Sequence, residues 1–97
     1  MMDDYARLAA MEVAETPAQR AAWMLRQPRF FFCRHFAEVG QSLRLINNGD
    51  LMEALQAEIA AGEAEHMPSG DMANTVMLRL HFNRSKLREM VRLGGRV

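Results

Sequence analysis

The sequence contains a single cysteine, three prolines, only 7% aromatic residues and one lysine, Lys86, among twelve basic residues. The lone Cys33 excludes an internal disulfide framework and is typical of a reducing compartment. No apolar run approaches the roughly 18–20 residues that span a bilayer, and the acidic Met1–Asp4 segment lacks the basic start of a signal peptide. We therefore expect a cytoplasmic protein without membrane contact.

An excess of one charge sign is also absent. Twelve basic residues balance twelve acidic ones, so no overall charge draws the 97-residue chain toward nucleic acid or an anionic membrane. Hydrophobic residues make up 49% and charged residues 25% of the chain, which are proportions typical of a globular protein. The length suits a single helical domain over residues 1–97.

Apolar residues recur at spacings of three and four, which predicts helices and gives no strand signal. Asp3 or Asp4 can cap a first helix that ends near Glu15. Thr16–Gln19 has the pattern of a capping box with proline at the first helical position, so it predicts the start of a second helix. Pro28 should end that helix, because proline disfavours helical geometry in the residue before it.

A third helix is predicted from about Arg29 to Ile46, since its apolar residues alternate at spacings of four and three. Its apolar seam consists of Phe32, Phe36, Val39, Leu43 and Ile46. The Asn47–Gly49 turn should stop this helix, because asparagine and glycine tolerate a positive φ at a helix end.

Two more helices complete the predicted fold. Asp50 and Glu53 repeat the capping-box pattern and open a fourth helix over residues 50–66. A break at Met67–Gly70 precedes a last helix, which we expect to be capped by aspartate and to cover Asp71–Leu93. The expected fold is therefore all-α, a small antiparallel bundle of four to five helices with short turns.

Charge is segregated along the chain in four blocks. Residues 1–15 carry one basic and four acidic residues, and residues 16–48 carry five basic and one acidic. Residues 49–71 carry six acidic residues and no basic one, and residues 72–97 carry six basic and one acidic. Neighbouring helices of opposite charge can attract one another inside the bundle. Alternatively, acidic and basic faces can address different partners, and the sequence leaves both interpretations open.

Three consecutive phenylalanines, Phe30, Phe31 and Phe32, lie between Arg29 and Arg34. Successive helical residues point about 100° apart, so the three rings cannot share one face. Either one ring is exposed, or the second helix folds back and covers it with its tryptophan. An exposed ring beside arginines has the composition of an interface centre. We therefore predict a partner-binding site formed by Arg29, Phe30, Phe31 and Arg34.

The last helix offers an alternative function, nucleic-acid binding. Arg84, Arg88 and Arg92 are spaced four residues apart on one stripe, next to an apolar stripe that can dock on a core. Arginines presented in this way can contact phosphates. Basic residues near a helix C-terminus also complement the helix dipole without any ligand, and Asn83 is the one polar base reader nearby.

No catalytic motif is recognised. Cys33 and His35 are two positions apart and point away from each other on a helix, whereas a zinc site needs about four converging ligands. A metalloprotease motif, a Walker loop and a dinucleotide fingerprint are all absent. We therefore expect no enzyme, no metal and no cofactor. The predicted function is that of a small regulatory protein that binds a larger protein or forms a homodimer; phage and mobile-element proteins that inhibit or redirect a host machine are of this size and type.

Overall fold

The computed structural model describes residues 3–28, 30–65 and 74–94, and over these ranges the chain forms six helices and no strand. The all-α prediction is therefore confirmed. The helices are α1 (Asp4–Val13), α2 (Pro17–Leu25), α3 (Phe31–Arg34), α4 (Phe36–Ile46), α5 (Gly49–Glu65) and α6 (Asn74–Gly94). The predicted break at Met67–Gly70 and the predicted cap at Asp71 lie outside the described residues.

The first two helices begin where the sequence predicts. Asp3 is the N-cap of α1, because its carboxylate accepts a hydrogen bond from the backbone N–H of Ala6 at 2.8 Å. Thr16 and Gln19 form the capping box of α2, since each side chain accepts a hydrogen bond from the backbone N–H of the other at 3.1 Å. The end of α2 lies shortly before Pro28, as expected.

One turn stops α4 and starts α5. Asn47 has a φ of 56°, the left-handed conformation expected of asparagine at a helix end. The cap of α5 is Asn48, whose Oδ1 accepts hydrogen bonds from the N–H groups of Asp50 at 3.0 Å and Leu51 at 3.2 Å. The prediction that Asp50 opens this helix is therefore wrong, because Asn48 already satisfies its first free N–H groups.

The predicted third helix is two helices, because His35 interrupts it. His35 has a φ of −126° and a ψ of 32°, outside helical values, and separates α3 from α4. Phe36 is therefore the first residue of a new helix. Helical side chains lean toward the N-terminal end of their helix, so the Phe36 ring lies beyond the first turn and is 59% exposed. Its predicted place in the core seam is therefore wrong, whereas Phe32, Val39 and Leu43 are buried as predicted.

The core is centred on Trp23 of α2. Its ring packs edge-on against Phe31 and Phe32, with ring centroids 5.7 and 6.0 Å apart. Trp23 Nε1 donates a hydrogen bond to the carbonyl of Arg7 in α1 at 2.9 Å, so the polar edge of the indole has a partner. Leu87 of α6 belongs to the same buried cluster. Trp23 of α2 therefore covers the aromatic rings of α3.

α5 and α6 form a hairpin that brings an acidic block against a basic one. Its ion pairs are Glu58–Arg84 (2.8 Å), Glu53–Arg79 (2.9 Å) and Asp50–Lys86 (3.3 Å). Glu58 is buried, and its hydrogen bonds from Arg84 raise the pKa of that guanidinium. The opposite charges of neighbouring blocks are therefore paired within the fold at this hairpin.

Candidate protein-binding groove

An open groove of about 470 Å³ lies between α1 and α4. We call it the α1–α4 groove. It is lined by Leu8, Ala9, Met11 and Glu12 of α1 and by Glu38, Gln41, Ser42 and Leu45 of α4. Met11 is buried and Leu8 half-buried, so these side chains form an apolar floor. Leu45, in contrast, is 86% exposed at the rim. The groove is therefore shallow, and much of its apolar surface is open to water.

Polar contacts at the start of α1 hold this helix beside α4. Asp4 Oδ2 lies 2.7 Å from His35 Nε2 and 3.2 Å from Arg34 Nε. The hydrogen bond with His35, followed by that from Arg34, lowers the pKa of the Asp4 carboxyl. Asp4 begins α1 and His35 immediately precedes α4, so the two helices start close together.

Arg20 of α2 lies beneath the groove and joins its two walls. Its side chain is buried; Nε donates a hydrogen bond to the carbonyl of Ala14, just after α1, and Nη1 donates one to Ser42 Oγ of α4. Burial lowers the pKa of the Arg20 guanidinium, and the carboxylate of Glu12 partly offsets this effect. A buried cation therefore sets the separation between the end of α1 and the middle of α4.

Two more apolar side chains lie on α1 beside the groove. Tyr5 is 85% exposed and Val13 is 77% exposed, one turn before and one turn after Ala9. Together with Leu45 they are the three most exposed large hydrophobic side chains of the described residues. Contiguous exposed apolar surface marks interaction sites in proteins. This side of the molecule is therefore the strongest candidate for a binding surface.

α6 has a second exposed apolar surface on its outer face. Leu78 and Phe82, one helical turn apart, are both largely exposed. Lys86 Nζ lies 5.1 Å from the centroid of the Phe82 ring, a distance suited to a cation–π contact. The Phe82 ring therefore has a partner within its own helix, and it lies on a helix face rather than between two helices.

The predicted partner-binding site, Arg29, Phe30, Phe31 and Arg34, is not one exposed surface. Phe31 is 0% exposed within the aromatic core, so its ring is not presented at the surface. The physical reason is that the Trp23 ring of α2 packs against Phe31 and that α3 lies against α5. Phe30 is half-buried, Arg34 is exposed and forms an ion pair with α1, and Arg29 lies outside the described residues.

The arginines predicted for nucleic-acid binding are not a row of free cations. Arg84 pairs with the buried Glu58, and Arg92 pairs with Glu89 on its own helix. Arg88 is exposed. Two of the three guanidinium groups therefore already have carboxylate partners that a phosphate would need to displace.

Cys33 has the environment of a packed thiol. Its Sγ donates a hydrogen bond to the carbonyl of Ile59 at 3.5 Å, and burial raises the pKa of the thiol, which keeps it protonated. A Cβ at Gly62 would overlap this sulfur, so the glycine allows α3 to approach α5.

Among the described residues, no group of three or more His, Cys, Asp or Glu side chains is arranged to hold a metal ion. Within the same ranges, none of the helices combines the length and apolar character needed to cross a membrane.

Sequence reasoning did not identify the groove as a site. Tyr5, Leu8 and Met11 recur at every third position of α1, but of these Met11 alone is buried. Leu45 carries the one usable signal, because it is a large apolar residue between the seam positions Leu43 and Ile46 and cannot share their face. An apolar residue out of phase with a seam indicates a second apolar face.

Compared with protein-family models, curated proteins and solved structures, the chain matches none of them significantly. No relative therefore supplies a function, and the chain's own surfaces are the basis for inferring one.

Proposed function

We propose that this protein is a small, non-enzymatic interaction protein that binds an α-helix of another protein in the α1–α4 groove. The observation that carries this proposal is the high exposure of three large apolar side chains, Tyr5, Val13 and Leu45, in or beside one groove. Exposed apolar surface is unfavourable in water, and a partner that covers it gains binding free energy.

The dimensions of the groove favour a helix as its occupant. The walls belong to α1, with 10 residues, and α4, with 11 residues, which are each about 15 Å long. With the exposed Tyr5 and Val13, the candidate surface runs along nearly all of α1. A helix of about three turns matches this length, and an amphipathic helix anchors in a groove through residues at i, i+3, i+4 and i+7. Small-molecule sites bury most of their ligand, whereas the exposed Leu45 indicates a shallow site.

Regulation follows from this mode of binding. A protein that covers the apolar face of a partner's helix blocks other contacts of that face and needs no chemistry of its own. The proposal therefore includes a regulatory or inhibitory role, of the kind performed by small inhibitors and adaptors from phages and mobile elements.

Nucleic-acid binding through α6 is the less supported alternative. Of its three predicted arginines, Arg84 and Arg92 have carboxylate partners, and one of these carboxylates, Glu58, is buried. Displacing a buried carboxylate would leave it without a counter-charge, which is costly.

A selection of displayed helical peptides against the full chain tests the proposal. The library holds peptides of about 16 residues, with apolar residues at one helical face and all other positions randomised. We expect selected peptides to bind wild-type protein and to lose at least about tenfold in affinity for Leu45→Asp, because the substitution places a charge on the apolar rim. Leu78→Asp, which introduces the same charge on the exposed face of α6, is the matched control and should bind as wild type does.

Three outcomes would overturn the proposal. The first is a selection that yields no peptide whose binding depends on Leu45. The second is binding that is lost in Leu78→Asp and kept in Leu45→Asp, which would move the site to α6. The third is a homodimer in analytical ultracentrifugation that Leu45→Asp dissociates, which would make a second copy of this chain the occupant of the groove.

A further inference from the structure

The charged residues that line the α1–α4 groove are both acidic. Glu12 lies on the α1 wall and Glu38 on the α4 wall, so each side of the groove has one carboxylate. The side chain of Glu38 is 57% exposed. Among the residues that the structure describes, none that lines the groove is basic. An occupant therefore meets negative charge along both of its edges.

These carboxylates lack the strong partners that the acidic residues of α5 have. Glu12 forms no ion pair with any residue that the structure describes. The basic side chain nearest to Glu38 among the described residues is His35, whose Nδ1 lies 3.9 Å from the carboxylate. In the α5–α6 hairpin, by contrast, Arg79 lies 2.9 Å from Glu53. The negative charge of the groove is thus left largely available to a partner.

Arg20 reduces this negative charge but does not cancel it. Its guanidinium is buried behind Ser42 and donates hydrogen bonds to Ser42 and Ala14 instead of forming an ion pair with Glu12. Glu12 and Glu38 are therefore the charged side chains that line the groove, and the Arg20 guanidinium is buried outside this lining. At the start of α1, Asp4 and Arg34 pair with each other and add no net charge.

We infer that the helix bound in the α1–α4 groove is basic, with Arg or Lys on both flanks of its apolar face. This inference rests on the proposed function and specifies the chemistry of the partner. A helix whose apolar face covers Leu8 and Leu45 directs one flank toward Glu12 on α1 and the other toward Glu38 on α4. Exposed ion pairs add little affinity, so these charges select the partner more than they hold it.

Matched peptides test this inference. A peptide selected for Leu45-dependent binding is remade in three forms, with Lys, Gln or Glu at the two flanking positions. We expect the Kd to rise from the Lys to the Gln to the Glu form, by roughly tenfold in total at low salt. The difference should shrink at about 1 M salt, where the screening length falls to about 3 Å.

Substitutions in the protein assign the preference to its source. Glu38→Gln should remove about half of the Lys-over-Glu preference on a logarithmic scale, because one of two carboxylates is lost. Glu53→Gln makes the same change in charge on α5, away from the groove, and should leave the preference unchanged. Both variants are first compared with wild type by circular dichroism, which should show the same helical content.

The failure of this inference differs from the failure of the proposed function. Equal affinity for the three peptides, or tightest binding of the Glu form, overturns the basic character of the partner and leaves helix binding intact. A preference that Glu38→Gln does not reduce and Glu53→Gln does would also overturn it. If the selection provides no Leu45-dependent peptide, the proposed function itself is wrong.

Discussion

The α5–α6 hairpin and the α1–α4 pair use similar residues in opposite ways. In the hairpin, acidic side chains of α5 pair with basic side chains of α6, and Leu87 is 1% exposed. Between α1 and α4, Leu45 is 86% exposed, and the carboxylates of Glu12 and Glu38 lack strong partners. One helix pair is closed by its own residues, whereas the other leaves apolar and acidic groups available.

The difference arises from where each pair is held together. α5 and α6 have 17 and 21 residues and contact each other along much of their length. α1 has 10 residues and is tied at its start by Asp4 and near its end by Arg20. The contacts of Asp4 and Arg20, together with the hydrogen bond from Trp23 to the carbonyl of Arg7, keep α1 in place without filling the groove beside α4. A stable fold and an open groove therefore coexist.

The largest expected effect is on the free energy of unfolding, and it arises from the difference in core packing between the two regions. Leu87→Ala should lower the free energy of unfolding by about 2–5 kcal/mol, because it removes buried methyl groups and leaves a cavity. Leu45→Ala should change it by no more than about 0.5 kcal/mol, because the side chain is already exposed. Urea denaturation of both variants measures the two values, and similar losses would contradict the comparison.

A second substitution tests the anchor beneath the groove. Arg20→Met should lower the free energy of unfolding by about 1–3 kcal/mol, because Ser42 and the carbonyl of Ala14 lose a buried donor. It should also weaken binding of the selected peptides, since the walls of the groove are no longer joined. Arg26→Met, at an exposed arginine just after α2, is the control and should be close to neutral in both measurements.

A third pair of substitutions compares the carboxylates of the two regions. Glu58→Gln should lower the free energy of unfolding by about 1–2 kcal/mol. This is less than the loss of a fully buried ion pair costs, because Arg84 is partly hydrated. Glu38→Gln should leave the free energy of unfolding nearly unchanged. Thermal and urea unfolding check both values, and an equal cost for the two would mean that the groove carboxylate is also structural.

The smallest expected effect concerns pH and the start of α1. The folded-state pKa of Asp4 is lowered, first by the hydrogen bond with His35 and then by that from Arg34, so its contribution to stability is present above the unfolded-state value of about 3.9. That contribution should be lost as the pH falls below this value. Urea midpoints of wild type and Asp4→Asn should therefore differ at pH 7 and converge toward pH 3. A difference that stays constant over this range would show that the carboxylate charge is not the cause.

Local signals predicted most helix ends correctly, because the contacts that cap a helix are short in range. The caps at Asp3, Thr16 and Asn47 depend on contacts within four residues, which the sequence displays directly. The break at His35 did not show such a signal. His35 bonds to Asp4, 31 positions earlier in the chain, and no local pattern encodes that contact.

By itself, the sequence determined that the chain is helical, where most helices begin and end, and that acidic and basic blocks follow one another. Only the tertiary structure decided which apolar residues are covered. Phe31 is buried because the Trp23 ring of α2 packs against it, while Leu45 stays exposed at the rim of the α1–α4 groove. Sequence periodicity shows that a residue lies on an apolar face of its helix. Whether that face is buried depends on which distant helix packs against it. The candidate site is an apolar surface that no described helix covers.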